Sequence, residues 1–412
     1  MIEEKVGIRG YITSTPGMGG EIKVVPEDFY VEEILDLKLG DGEYAILRVV
    51  KKNWDTMRLA KILANTLGIS KKRVSFAGTK DKRSVSVQHF SVRGVRREEV
   101  ERVRLKDVEI EFLGYSRKPI ELGDLLGNVF RVVARGCEDG ERFEGTLEEL
   151  KEKGTPNFFG LQRFGTIRYI THEVGKLILQ RRYEEAFWVY VAKPFEGESE
   201  DVRKIREELW NTRDAKLGLR ELPKYLSYER SLLQKLREGK SELEALLSLP
   251  KNLKLMFVHA YQSYVFNRLL SDRIEEFGNL KEVQRGDWAC YVTREKVKPT
   301  FADCSKVADN YNRVRRLIAE RYAALALPLV GYDTELEGWN RRALEILAED
   351  DLSPESFRSE FREFSSPGSW RAADMIVELS DLSFSDCRFE FYLPRGCYAT
   401  VLLREFLKKE LV

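Results

Sequence analysis

Hydrophobic and polar positions along the chain fall into two textures. Residues Glu21 to Leu35, EIKVVPEDFYVEEIL, alternate like a strand but are interrupted by Pro26, which predicts two short strands around a turn at Pro26-Glu27-Asp28. Tyr44 to Val50 reads as a buried strand. Thr56 to Leu67 places Leu59, Ile62, Leu63 and Leu67 on one face of an amphipathic helix that Asp55 or Thr56 would cap. From Val74 to Val92, Val85 and Val87 alternate with Ser84, Ser86 and Gln88, the two-residue period of a half-buried strand leaving a loop at Gly78-Thr79-Lys80-Asp81-Lys82. A charged helix near Arg97 to Arg104 and strands at Val108 to Phe112 and Gly127 to Val133 complete a mostly antiparallel sheet with few helices.

From His172 to Glu363 the texture is helical instead, with periodic runs at Val202–Leu209, Leu226–Arg237, Leu253–Phe277, Tyr311–Ala326 and Arg341–Ala348. Asp287–Thr293 and Leu327–Asp333 read as strands or loops between them. Strand character returns at Asp374–Leu379 and Phe389–Leu393, and a helix from Tyr398 to Leu411 closes the chain. Sheet before and after a helical block implies an insertion. The breakers Gly154-Thr155-Pro156 and Ser365-Ser366-Pro367-Gly368 bound it.

A chain of 412 residues exceeds one ordinary core and predicts two or three domains. Charged residues make up 33%, and Asn and Gln are sparse, which suits a protein from a hot environment. The net charge of +1 hides two opposed blocks: Lys71–Lys106 carries twelve Lys or Arg against four Asp or Glu, and Asp333–Glu363 carries ten acids against four bases. A polyanion such as RNA would be drawn to the first and kept from the second, unless both are ordinary solvated faces. Five scattered cysteines without a CxxC pair, and three histidines away from metal-ligand spacing, predict reduced thiols and no metal site. The start lacks a basic region followed by an apolar run, and no stretch approaches the ~18 apolar residues of a membrane span. A cytoplasmic protein without membrane contact is the expectation.

Candidate chemistry centres on Asp81, between Lys80 and Lys82. Two neighbouring ammonium groups would keep this carboxylate ionised, which suits a nucleophile, an electrostatic stabiliser or a metal ligand rather than a general acid. Charge and turn pattern alone favour a solvated turn with a weak surface ion pair. Asn157 to Gly165, NFFGLQRFG, packs three Phe beside Gln162 and Arg163, either to stack on bases and pair with phosphates or to form a domain-junction core. Cys397 has no nearby His and reads as a packed thiol. The Gly-Thr-Lys-Asp-Lys run lacks the spacing of a phosphate-binding loop.

Six blocks, in order, resemble the TruD family of RNA pseudouridine synthases: Ile22-Lys23 with Pro26-Glu27-Asp28-Phe29, Ser75 through Gln88, Gly127-Asn128-Val129-Phe130, Asn157 through Gly165, Tyr261 through Asn267, and Leu393 through Thr400. The resemblance is to archaeal members that act on uridine 13 of tRNA. It implies an α+β protein: a pseudouridine-synthase catalytic domain, mostly antiparallel sheet with flanking helices, built from residues 1–156 and 369–412, and an inserted helix-rich α+β TRUD domain over 157–368. It implies Asp81 as the catalytic aspartate, with Lys80, Lys23 and Glu27 lining the cleft and Phe29, Asn128, Tyr398 and Phe130 around the target nucleotide. No cofactor or metal is implied, the partner is tRNA, and a monomer is expected. The same chemistry on another structured RNA, or base flipping without conversion, are the alternative readings.

Overall fold

The computed structural model describes residues 2–138, 140–293, 298–378 and 381–411. The first texture folds into β1 (Phe29–Leu35), β2 (Tyr44–Lys52), β3 (Val74–Phe76), β4 (Val85–Arg93), β5 (Val108–Ser116) and β6 (Leu125–Val133). Later in the chain come β7 (Trp288–Thr293), β8 (Thr300–Lys306), β9 (Ala323–Leu329), β10 (Ser369–Ala372), β11 (Ser383–Ser385) and β12 (Arg388–Pro394). An eight-stranded sheet runs β11-β12-β6-β1-β4-β2-β5, with β3 also paired to β4. It is antiparallel except where β1 and β4 run side by side. Both ends of the chain therefore build one sheet, and the mixed α+β architecture read from the sequence is the one observed.

Two layers of apolar side chains hold this sheet. The helix α1 (Thr56–Thr66), capped by the Asp55 carboxylate accepting from Arg58 N at 2.8 Å, lays Leu59, Ala60, Leu63 and Ala64 against Phe90 and Val92 of β4. On the other face Phe29, Phe130 and Phe391 form a ladder across β1, β6 and β12, with ring centroids 5.9 and 5.4 Å apart. Strand β4 departs from the half-buried expectation. Ser84, just before it, and Ser86, Gln88 and His89 within it are all buried, because the strand is internal; Ser84 Oγ donates to Asp81 O and Gln88 Nε2 to Gly78 O, holding the loop, while Ser86 Oγ is buried without a partner.

The second texture is α2 (Thr171–Leu179), α3 (Lys251–Phe277) and shorter helices around a four-stranded antiparallel sheet, β10-β9-β7-β8. At the crossing of α2 and α3 a Cβ on Gly175 would overlap the carbonyl oxygen of Phe257. Gly175→Ala is expected to destabilise the fold by about 1–3 kcal/mol, the range for overpacking, seen as a lower thermal unfolding midpoint. The helix expected over Tyr311–Ala326 ends at Ala319, where Arg321 takes a left-handed φ of 60°. The alanine-rich run that follows is β9: small side chains are what the centre of a covered sheet accepts, and burial overrides helix propensity.

Strand character in the C-terminal part is also displaced. It falls on Ser369–Ala372, which pairs with β9, while residues 374–378 are irregular and Leu379 lies outside the described residues. The position drawn between 368 and 369 thus precedes a strand of the second sheet, and the chain rejoins the first sheet only at β11. The closing helix α4 is Ala399–Leu407, shorter than expected, ended by Lys408 at a φ of 50°.

The cysteines correct the expectation of free thiols. Cys137 pairs with Cys387 and Cys290 with Cys304, leaving Cys397 unpaired. Neither pair has a spacing signature, because strand pairing brings them together: Cys290 and Cys304 are direct partners in the β7–β8 register, and Cys137 and Cys387 flank the β6–β12 pair. No helix is long and apolar enough to cross a membrane, and among the described residues no cluster of His, Cys, Asp and Glu could hold a metal ion.

Candidate active site

The loop between β3 and β4 is pinned from beneath. Thr56 at the start of α1 accepts from Lys80 N at 3.1 Å and donates to Gln88 Oε1 at 3.1 Å, while Gln88 Nε2 donates to the carbonyl of Gly78. Asp81 then projects into a cleft of about 170 Å³ lined by Phe29, Lys80, Asn128, Phe130, Gln162 and Tyr398, among others. Six of the eight residues singled out from the sequence therefore share one cavity.

The cation on Asp81 is neither of its sequence neighbours. Lys23 Nζ reaches Asp81 Oδ2 at 2.9 Å and also lies 4.6 Å from the centre of the Phe29 ring. Lys23 has a left-handed φ of 56°, a conformation an L side chain adopts at a cost and that clusters at functional sites. Lys80 turns the other way and pairs at 2.9 Å with the fully buried Glu33. The ammonium expected beside Asp81 from adjacency in sequence is therefore not the one that pairs with it: Lys80 anchors the loop. A buried ammonium needs a buried partner, and β1 supplies one. Lys82 is exposed.

Glu33 accepts from the backbone N of His89 as well as from Lys80, with His89 Nδ1 3.3 Å away. Burial pushes its carboxyl upward, but His89 and Lys80 outweigh this and hold it below the ordinary carboxylate range. Lys51, behind the loop, donates to the carbonyl of Trp54 at 2.7 Å, and burial pushes its ammonium down to about 8. Glu27 is not in the cleft. Half exposed, it pairs with Lys52 on the outer surface, because the turn at Pro26 directs it away while Asp28 turns inward to Arg135 at 2.7 Å.

Asn128 sits opposite Glu33 in the β1–β6 register, and its Oδ1 is buried without a hydrogen-bond partner. An orphaned acceptor in a cleft wall is a place where a ligand donor would be satisfied. Tyr398 precedes α4 and faces Phe159 at 6.3 Å. Its loop is braced by Arg371 of β10, whose guanidinium donates to Gly396 O at 2.7 Å and Asn157 Oδ1 at 2.8 Å and covers the Phe159 ring at 4.0 Å. Burial pushes the Cys397 thiol up to about 12, so it stays protonated.

Two residues escaped the sequence reading. Gln162 Nε2 donates to Asp81 Oδ2 at 3.3 Å, and Arg371 organises the Tyr398 loop. The compressed NFFGLQRFG stretch did contain Gln162, but both readings of it, nucleic-acid contact or junction core, concerned its aromatics and Arg163. Phe158 and Phe164 are core, and Arg163 donates to Ser263 Oγ at 3.1 Å. The basic block around the loop is on the surface: all twelve cations except Arg73 and Lys80 are exposed.

The family profile described as tRNA pseudouridine synthase D (TruD) matches residues 5–406. A protein of Archaeoglobus fulgidus named "Probable tRNA pseudouridine synthase D" is 70% identical over 411 residues, covering 100% of both chains. One of the same name from Pyrococcus abyssi is 39% identical, covering 97% of this chain and 98% of its own. A crystal structure from Methanosarcina mazei carrying the same family name superposes with a TM-score of 0.82 at 37% identity, over 99% of this chain and 98% of that one. On a match that spans almost every residue of the fold and the whole of the cleft, this chain belongs to the tRNA pseudouridine synthase D (TruD) family.

Proposed function

We propose that this chain is a tRNA pseudouridine synthase that converts uridine 13, with Asp81 as its catalytic group. The observation that carries the reading is a clamped carboxylate in a cleft whose other walls include three aromatic rings, Phe29, Phe130 and Tyr398, and an unpartnered amide oxygen. The names of its relatives supply the substrate class. In the reaction the N1–C1′ bond of uridine breaks, the uracil turns, C5 bonds to C1′, and the hydrogen leaving C5 is balanced by one gained at N1. Nothing is oxidised or reduced, so the reading requires no cofactor.

A base inside a stem is out of reach, so the uridine must leave the stack, at a cost of a few kcal/mol. Stacking on Phe29 or Tyr398 can return about 1–3 kcal/mol per base. Asn128 Oδ1 would accept the uracil N3–H, a proton that cytosine lacks. Lys23 orients the Asp81 carboxylate, which would attack C1′ or remove a sugar proton, and the exposed cations Lys82 and Arg83 of the same loop would meet neighbouring phosphates. The reading makes the chain a cytoplasmic monomer, with the catalytic domain drawn from both chain ends and the TRUD insertion completing the cleft.

The test is chemical mapping of pseudouridine in unmodified tRNA after incubation with the protein. Product at position 13 supports the full reading, product elsewhere changes the target, and RNA binding without product removes the enzymatic reading. Asn128→Leu, which removes the orphaned acceptor at similar volume, should lower single-turnover conversion by about 10²-fold, the effect of losing a hydrogen bond made to the reacting base.

A further inference from the structure

We infer that Gln162 is a positioning residue for Asp81: its amide fixes which carboxylate oxygen faces the cleft and ties that geometry to the seating of the inserted segment. This rests on the functional reading above. A carboxylate turns easily about its last torsion, which is broad and roughly two-fold. Here both donors meet the same atom: Lys23 Nζ at 2.9 Å and Gln162 Nε2 at 3.3 Å both contact Oδ2. Among the described residues none donates to Oδ1. The doubly held oxygen has its charge partly neutralised, and the free one is the more basic and more open, whether the step is attack at C1′ or removal of a proton.

The two donors reach Asp81 from different parts of the chain. Lys23 precedes β1, while Gln162 sits on a short helical turn, Leu161–Arg163, in the inserted segment. That turn is fixed to α3. Phe159 N donates to Asn267 Oδ1 at 2.8 Å, Asn267 Nδ2 returns to Phe159 O at 3.0 Å, and Arg163 Nε donates to Ser263 Oγ at 3.1 Å. Ser263 and Asn267 are buried polar groups on α3, and Phe164, next in the chain after Arg163, is wholly buried against His172 of α2. Gln162 itself is exposed at the cleft rim, so the inserted segment presents it to Asp81 from a rigid base. Without Gln162, Lys23 alone would hold the carboxylate, which could then swing between its two oxygens.

The test compares Gln162→Ala and Gln162→Glu with wild type. Gln162→Ala should lower kcat about tenfold, the effect of a hydrogen bond to a charged group, with KM within about twofold. Gln162→Glu sets a second carboxylate against Asp81, whose charged and titratable surroundings are otherwise Lys23 at 2.9 Å, the buried Lys51 and Tyr398 across the cleft, with Lys80 turned away onto Glu33 and Lys82 exposed. Like charges oppose joint ionisation, so the acid limb of the pH profile should move to higher pH, and a ¹³C-detected titration of the Asp81 carboxyl carbon should move with it. A kcat within twofold of wild type for Gln162→Ala, a loss carried wholly by KM, or an Asp81 titration unmoved by Gln162→Glu would each overturn the inference. Wild-type protein that yields no pseudouridine would instead overturn the functional reading, while the carboxyl titration still decides the contact. Unchanged thermal unfolding and RNA affinity of Gln162→Ala control for folding.

Discussion

Asp81→Asn is expected to abolish pseudouridine formation while leaving tRNA affinity unchanged or slightly tighter. The substitution keeps the shape of the side chain and removes the charge on which both forms of the chemistry depend. Loss of a nucleophile or base of this kind lowers turnover by about 10⁴-fold or more. Binding moves the other way because a negative charge is removed from a cleft that must accept a polyanion, and Lys23, freed from its 2.9 Å partner, becomes available to phosphate. Single-turnover conversion and filter-binding affinity on the same tRNA separate the two effects. Parallel loss of both would mean that Asp81 holds the loop together rather than acting on the base.

The largest effect on stability is expected from Glu33→Gln. Lys80 is 6% exposed and its partner Glu33 fully buried, so neutralising the acid strands an ammonium in the interior. Breaking such a pair from one side costs about 3–5 kcal/mol, visible as a lower denaturant midpoint. The double variant Glu33→Gln, Lys80→Met removes the stranded charge and should recover much of the loss. The sign with pH is fixed by Glu33, whose folded carboxyl lies below its ordinary value of 4.5. Its contribution is present above that value and is lost as pH falls through the lower, folded one. The stability gap between wild type and Glu33→Gln should therefore close in acid.

These pairings mark where the sequence stops speaking. Strand and helix periodicity located most of the sheet and the long helix, since burial of alternate or 3.6-spaced side chains is what sets those patterns. Periodicity misassigned β4's polar face, because a buried serine or glutamine holding a loop looks like a solvated one until the loop is seen above it. It also misassigned the alanine-rich β9, whose small side chains favour a helix until neighbouring strands cover them. At the site, the family resemblance, not residue type, singled out Asp81 and its aromatic walls, and nearness in sequence favoured Lys80 over Lys23 as the cation beside the carboxylate. The partner of a charge is chosen by the fold: β1 carries Glu33 beneath Lys80, and a left-handed turn delivers Lys23 from 58 residues away. Gln162 is legible only through the same kind of closure.

The bond between Cys137 and Cys387 spans 250 positions and joins the chain just before and just after everything that intervenes. Seen mechanically, it is a bypass. A pull on the two chain ends would travel from the first residues to Cys137, across the sulfurs, and out through β12 and α4. The covalent path skips residues 138–386, so the second sheet could come apart or refold without lengthening the covalent path between the chain ends.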